Sequence, residues 1–167
     1  MREPPGIPIE RLRSCLQDDY DLYPVALEFL PLGKDYQAGV YRVVSEQGTA
    51  YLLKATSRPL YEPSCLISHY LNEQGILSVV APIPTNRHEL WTTTRERQVD
   101  WTIIVYPWMT GTSSLAGMTD AHWRELGTVI RQIHQIRLTP ERLDTFTGMR
   151  KETFDPTAYT QWIHTFE

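Results

Sequence analysis

The segment 51–56, Tyr-Leu-Leu-Lys-Ala-Thr, carries a single lysine near the end of an otherwise apolar run. A buried ammonium is costly unless a negative group meets it, so Lys54 restricts the environments in which this run can fold. The apolar residues 40–44 and the turn at 46–48 precede the run, and together they predict a hairpin whose second arm holds Lys54. The pattern also fits an ordinary strand lysine whose ammonium reaches solvent along its apolar stem.

Two carboxylates further along the chain are candidate partners for this lysine. Glu62 directly precedes Pro63, a residue that suits the first position of a helix. A residue before proline is biased towards extended backbone, so we expect Glu62 at the helix N-terminus. There it would either pair with Lys54 or only complement the helix dipole. Glu73 is a less favoured rival, because it lies on the last turn of the same predicted helix.

Composition excludes several classes of protein. The chain has 167 residues, 41% of them hydrophobic and 22% charged, which is ordinary for one globular domain with a real core. Its net charge of −4 gives no basic surface for nucleic acid or acidic membrane. Cys15 and Cys65 are too few for a disulfide scaffold, and neither a membrane span nor a signal peptide is recognisable, so we expect a cytoplasmic protein.

Periodicity predicts five strands and at least three helices, with one helix inserted between the third and fourth strands. The predicted helices cover residues 9–20, 62–75 and 119–139, and a further helical stretch follows Pro156. The predicted strands cover residues 25–32, 40–44, 50–55, about 89–93, and 101–106, with residues 95–97 as a charged hairpin loop.

The turn between the first two strands is bounded by Gly33 and Gly39. Such a turn lets backbone N–H groups approach phosphate oxygens with no side chain in the way. It lacks the G-x-G-x-x-G spacing and does not precede a helix, which excludes a Walker loop and a Rossmann turn. Most turns of this kind are only hairpins.

Taken together and in order, these motifs resemble the aminoglycoside phosphotransferase family, and within it the spectinomycin phosphotransferase branch. The similarity runs from about Val25 to Glu167. The motifs that carry it are the 33–39 turn, the segment 51–54, Glu62, Tyr70-Leu71, Gly75-Ile76, the segment 104–107, and Leu126-Gly127 with Ile133-His134.

The resemblance implies a kinase that transfers the γ-phosphate of ATP or GTP, with Mg²⁺, to a hydroxyl of a small molecule. It implies that Lys54 binds the α- and β-phosphates and that Glu62 orients Lys54. The adenine would meet the segment in which the last strand leaves the sheet, composed of Tyr106, Pro107, Trp108 and Met109.

One departure from the family is plain. The family's catalytic loop has an aspartate two residues after a histidine, and a later aspartate holds metal. The residues two positions after the five histidines here are Leu71, Leu90, Arg124, Ile136 and Phe166. No catalytic residue and no metal ligand can therefore be assigned, and we expect a truncated chain that is inactive by itself, since such groups are most of what phosphoryl transfer requires.

The resulting fold prediction is an α+β, protein-kinase-like N-terminal lobe, a five-stranded antiparallel sheet plus one helix, followed by the first helices of a helical C-terminal lobe. The predicted boundaries are a helical segment at 1–24, the nucleotide-binding lobe at 25–109, a linker at 110–118 and the start of the second lobe at 119–167. Two alternatives stay open: a non-catalytic fragment that binds nucleotide weakly or not at all, and an interaction piece that pairs with a separate C-terminal lobe. The apolar stripe formed by Tyr159, Trp162, Ile163 and Phe166 would favour self-association or a frayed last segment, unless it folds back on the chain's own helix at 119–136.

Overall fold

The computed structural model describes residues 3–33, 35–112 and 114–137. The chain divides into two compact units, Met1–Ile136 and Arg137–Glu167. Apart from Arg137, the second unit lies outside the described residues, and so does the helix predicted after Pro156. In chain order the elements are α1 (Ile9–Tyr20), β1 (Pro24–Leu30), β2 (Ala38–Ser45), β3 (Ala50–Thr56), α2 (Pro63–Glu73), β4 (Thr92–Glu96), β5 (Val99–Pro107), a short 3₁₀ turn (Ser114–Ala116) and α3 (Asp120–Gln135).

The five strands form one sheet in the order β1-β2-β3-β5-β4, and every neighbouring pair is antiparallel. The helix α2 is inserted between β3 and β4. The predicted five-stranded antiparallel sheet with one inserted helix is therefore confirmed. The β2–β3 hairpin is confirmed as well, with Gly48 at a φ of 78° in its turn.

Cross-strand pairing sorts the central strands into two faces, because residues that pair directly opposite one another share a face. The face that we call the α1 face carries Tyr41, Val43, Leu53, Ala55, Ile103 and Val105. The opposite face, which we call the Lys54 face, carries Val40, Arg42, Leu52, Lys54, Ile104 and Tyr106.

The main core lies between α1 and the α1 face. Spacing of three and four residues brings Leu12, Cys15, Leu16 and Tyr20 to one side of α1, where all four are buried. They form a single cluster with the buried residues of the α1 face and with Trp101. The Tyr20 hydroxyl donates a hydrogen bond to the Ile103 carbonyl at 3.2 Å, which ties the helix to the centre of the sheet.

The helix α2 covers part of the Lys54 face. Its Cys65 is fully buried and clusters with Leu90 and Ile104, and Leu66 and Tyr106 pack around them. Pro63 occupies the first helical turn and Gly75, at a φ of 84°, follows the last, as predicted. The prediction of an extended Glu62 is wrong. Its φ of −51° and ψ of −37° are helical, because Glu62 lies inside a turn that is closed by the hydrogen bond from Ser64 N to the Tyr61 carbonyl.

The fourth strand lies about three residues later than predicted. The predicted loop at 95–97 is wrong, since Arg95 and Glu96 pair with Asp100 and Val99 inside the ladder. The chain reverses instead at Arg97 and Gln98, both of which have positive φ, 47° and 67°. Such a two-residue turn fits the twist of a hairpin, although asparagine and glycine are its usual residues.

The helix α3 begins with a capping box. Thr119 Oγ1 accepts from His122 N, and His122 Nδ1 accepts from Thr119 N, each at 3.3 Å. The predicted apolar face is present, but its large residues Trp123, Leu126 and Ile130 are 59%, 40% and 44% exposed.

Candidate functional site

Lys54 lies on the middle strand of the sheet, opposite Val40 on β2 and Ile104 on β5. Its two sequence neighbours, Leu53 and Ala55, are fully buried on the α1 face, whereas Lys54 is exposed on the opposite face. Strand alternation thus sends the ammonium into solvent beside the half-buried Val40. An exposed cation beside apolar residues of a sheet is suited to bind an anionic group that is attached to a flat apolar one.

Glu62 begins the helix that packs on this same face, one turn before the buried Cys65. Its side chain makes no capping hydrogen bond. Among the described residues no ion pair within 4.0 Å joins Lys54 to Glu62 or to Glu73. Oε1 of Glu73 instead lies 3.6 Å from Nε2 of His69, which is one turn earlier in α2. The geometry therefore places Glu62 on the face of Lys54 but does not join the two charges.

The two glycines of the 33–39 turn have different surroundings. Gly33 has a φ of 78°, which glycine adopts without strain. Gly39 pairs with Ala55 and thus belongs to the α1 face, where an added Cβ would lie 2.6 Å and 2.7 Å from ring atoms of Pro5. The missing side chain of Gly39 makes room for this proline, a requirement that the sequence did not reveal. A role for either glycine beside a phosphate stays a prediction.

Four polar residues hold this turn in place, and sequence reasoning did not find any of them. Asp35 and Gln37 lie in the turn, and Ser57 and Arg58 directly follow β3. Arg58 Nε is 3.3 Å from Asp35 Oδ1 and donates to Gln37 Oε1 at 2.8 Å. Isolated exposed polar residues carry no periodicity or motif, so no sequence signal separates these from other surface residues.

The end of β5 approaches both α2 and β2. The Tyr106 hydroxyl lies 3.9 Å from Cys65 Sγ of α2, and burial raises the pKa of this tyrosine above its ordinary value. Trp108 N donates to the Ala50 carbonyl at 3.3 Å, and the Trp108 ring lies 5.4 Å from the guanidinium carbon of Arg42. The cation–π contact with Arg42 holds the indole against the Lys54 face, and this arginine was not predicted.

The backbone that follows Trp108 has hydrogen-bonding groups that are not used within the described fold. Within the described residues, the backbone groups of 109–112 make no backbone hydrogen bond, and Met109 is 60% exposed. An amide donor and a carbonyl acceptor are thus available at Met109, the last residue of the segment that the family resemblance assigns to the adenine.

In the described part of the chain α2 lines three cavities, and the smallest, of about 260 Å³, lies beside Ile67 and Leu71. A cavity of about 290 Å³ lies between the C-terminal half of α2 and the chain after β5, and its lining includes His69, Asn72, Pro107 and Met109. A larger cavity of about 570 Å³ lies between Leu66 and the residues 87–93 that lead into β4. None of these three cavities is lined by Lys54 or Glu62.

Solved structures share this arrangement of strands and helices. Spectinomycin phosphotransferase APH(9)-Ia, in complex with ADP and spectinomycin, is 25% identical to the chain with a TM-score of 0.75, over 91% of this chain and 44% of that protein. The chain has the fold of the kinase-like aminoglycoside phosphotransferases. The resemblance to that family, and the kinase-like N-terminal lobe that it implies, are confirmed.

Two further small-molecule kinases share the fold at lower identity. An amicoumacin kinase, in complex with AMP-PNP and Ca²⁺, is 18% identical with a TM-score of 0.54, over 81% of this chain and 43% of that one. A microcompartment-associated aminopropanol kinase is 15% identical with a TM-score of 0.55, over 89% and 45%. No protein-family model and no curated protein matches the sequence. The chain spans less than half the length of the solved structures that it matches.

Two other kinds of site are absent from the described residues. No group of three or more His, Cys, Asp or Glu side chains among them could hold a metal ion. No helix among them has the length and apolar character needed to cross a membrane.

Proposed function

We propose that this chain is the nucleotide-binding part of an ATP- or GTP-dependent kinase that phosphorylates a hydroxyl group of a small molecule. The observation that carries the proposal is the position of Lys54. It stands exposed at the centre of the sheet face on which α2 packs, in a fold shared with kinases whose solved structures hold ADP or AMP-PNP. A lysine there can donate to phosphate oxygens through charge-assisted hydrogen bonds.

The site residues of this proposal are those expected from the sequence. Lys54 binds the α- and β-phosphates and Glu62 orients it, while Gly33 and Gly39 bound the turn beside the phosphates. Residues 106–109 meet the adenine, with Met109 offering its backbone groups and Trp108 held in place by Arg42. We propose that the chain consists of a helical segment at 1–24, the nucleotide-binding lobe at 25–109, a linker at 110–118 and the start of the second lobe at 119–167. We also propose a cytoplasmic location. Mg²⁺ is assigned no residue, because the family's metal-holding aspartate has no match in the sequence.

We assign no catalytic residue to the chain, because none of its histidines is followed two positions later by an aspartate. A coupled ADP-release assay with ATP and spectinomycin should therefore show no turnover above the uncatalysed rate. Turnover that is lost in Lys54→Ala would contradict this assignment.

The test of nucleotide binding is calorimetric titration of the chain with ATP and, separately, GTP. Lys54→Ala should weaken the binding by roughly 1–3 kcal/mol, the scale of a lost charge-assisted hydrogen bond. Arg95→Ala is the matched control, since Arg95 is an exposed cation of the β4–β5 hairpin whose ion pair with Asp100 involves no residue of the site. Equal affinities of Lys54→Ala and the parent would rule out the role of Lys54.

The role of Glu62 is separated from simple capping by a double-mutant cycle. If Glu62 orients Lys54, Glu62→Gln weakens nucleotide binding only while Lys54 is present. If it only complements the dipole of α2, Glu62→Gln lowers the free energy of unfolding by a few tenths of a kcal/mol and leaves binding unchanged.

A second candidate function is an interaction fragment that pairs with a separate lobe. The exposed apolar side chains of α3, Trp123, Leu126 and Ile130, favour it, since a stripe of this kind needs a covering surface. Sedimentation of the chain and of a Leu126→Glu/Ile130→Glu variant tests it. A parent that stays monomeric at high concentration, and sediments no differently from the variant, contradicts self-association through this helix.

A further inference from the structure

The chain after β3 holds the 33–39 turn. The Gln37 carbonyl accepts two hydrogen bonds from Ser57, from its backbone N at 3.0 Å and from its Oγ at 3.3 Å. Arg58 adds two side-chain contacts, with Gln37 Oε1 at 2.8 Å and with Asp35 Oδ1 at 3.3 Å. One short segment directly beyond the Lys54 strand thus contacts the turn four times.

The same groups also shape the turn from inside. Asp35 Oδ1 accepts from Gln37 N at 3.0 Å, and the Asp35 carbonyl accepts from Ala38 N at 3.2 Å. Arg58 in turn is fixed on the sheet, because its backbone N donates to Oγ1 of the buried Thr56 at 3.2 Å. The carboxylate that closes the turn is therefore also the one that meets Arg58.

We propose that Arg58 is a positioning residue that fixes the described residues of the turn, 35–39, against the end of the Lys54 strand before nucleotide arrives. This inference rests on the proposed function for the identity of the ligand, a nucleoside di- or triphosphate. Its physical basis is preorganisation: a turn that is ordered in the free protein does not have to be ordered by the ligand. Arg58 itself needs no contact with the phosphates.

The effect of Arg58 is local. Its side chain is 60% exposed and that of Asp35 is 38% exposed, so the ion pair is screened and adds little to global stability. Loss of Arg58 should therefore leave the thermal midpoint unchanged while the amides of the turn open more often.

Amide hydrogen exchange tests the turn without any ligand. In Arg58→Ala the amides of Gln37, Ala38 and Ser57 should exchange roughly two- to fivefold faster, the range expected for one exposed ion pair. Asp35→Asn removes the charge but keeps the oxygen that accepts from Gln37 N, and should produce part of the same increase. Arg97→Ala, in the β4–β5 turn, is the control and should leave these three amides unchanged. Equal exchange in Arg58→Ala and the parent would overturn the proposal.

Nucleotide titration measures the affinities for ATP and adenosine, and a purely structural role of Arg58 would not change one relative to the other. Arg58→Ala should weaken ATP roughly two- to fivefold and leave adenosine unchanged, because only the phosphates lie beside the turn. Equal weakening of ATP and adenosine would overturn the positioning role. A parent that binds no ATP would contradict the proposed function alone, since the exchange experiment still decides whether Arg58 orders the turn.

Discussion

The two faces of the sheet are built from alternate residues of the same strands, yet they have opposite characters. On the α1 face Tyr41, Leu53 and Val105 are fully buried under α1. On the Lys54 face only Ile104 is buried to this degree, and Lys54 itself is exposed. One face therefore supplies most of the folding free energy, which leaves the other free to carry a cation and an open surface.

Leu52 and Leu53 give the sharpest comparison of the two faces. Leu53→Ala leaves a cavity in the main core and should lower the free energy of unfolding by about 2–5 kcal/mol. Leu52→Ala removes the same atoms from a half-buried site on the Lys54 face and should cost roughly half as much or less. Urea unfolding of both variants measures the difference, and equal losses would show that the faces do not differ in this way.

Substitution of Gly39 tests whether this glycine is needed for packing on the α1 face or for phosphate binding. In Gly39→Ala the new methyl group would overlap Pro5 and approach the Tyr41 ring to 2.9 Å, so we expect a loss of stability of about 1–3 kcal/mol. Nothing lies within 4 Å of a Cβ added at Gly6, so Gly6→Ala is the control. Combined with Pro5→Ala, the substitution should become less harmful. A loss of ATP affinity with no loss of stability would instead assign Gly39 to the phosphates.

Alkaline pH should destabilise the protein, because acidic groups are buried on both faces of the sheet. Burial raises the pKa of Tyr41 to about 12 and also raises the pKa of the Cys15 thiol. The unfolded chain therefore loses these protons first, and the free energy of unfolding falls as pH rises above about 9 for Cys15 and about 10 for Tyr41. From Tyr41 alone we expect a loss of roughly 1 kcal/mol between pH 10 and 11. Urea midpoints measured from pH 8 to pH 11 check this, and a flat profile would contradict it.

Two buried hydroxyls on the α1 side should respond in opposite directions at neutral pH. The Tyr41 hydroxyl has no hydrogen-bond partner among the described groups, so Tyr41→Phe should stabilise the protein by about 1 kcal/mol. The Tyr20 hydroxyl donates to Ile103, so Tyr20→Phe should cost about 1 kcal/mol. Thermal unfolding of the two variants distinguishes them, and destabilisation by both would mean that Tyr41 has a partner.

Periodicity predicted the fold well where one face of an element is buried. The bounds of α1 and the β2–β3 hairpin follow from apolar spacing, and the ends of α2 follow from proline and glycine. The fourth strand was misplaced because its turn uses Arg97 and Gln98, which carry no signal for positive φ. At the candidate site, strand alternation explains why Lys54 is exposed. No sequence pattern indicated that Lys54 and Glu62 would form no ion pair.

The remaining site features depend on contacts between segments that are distant in sequence. Arg58 reaches back 21 positions to Gln37, and Arg42 meets a tryptophan that follows the last strand. Pro5 fills the space beside Gly39 from the first residues of the chain. Polar and small residues that act through such contacts have no local pattern, so only the structure reveals them.

The contact between Pro5 and Gly39 has a practical consequence for protein engineering. Any affinity tag, fluorophore or fusion partner joined ahead of Pro5 would sit a few residues from the base of the turn that we place beside the phosphates. Nucleotide affinities measured with such an attachment would then report the attachment as well as the protein. The turn at Arg97 and Gln98, on the strand at the edge of the sheet remote from β1 and β2, is the better position for a label.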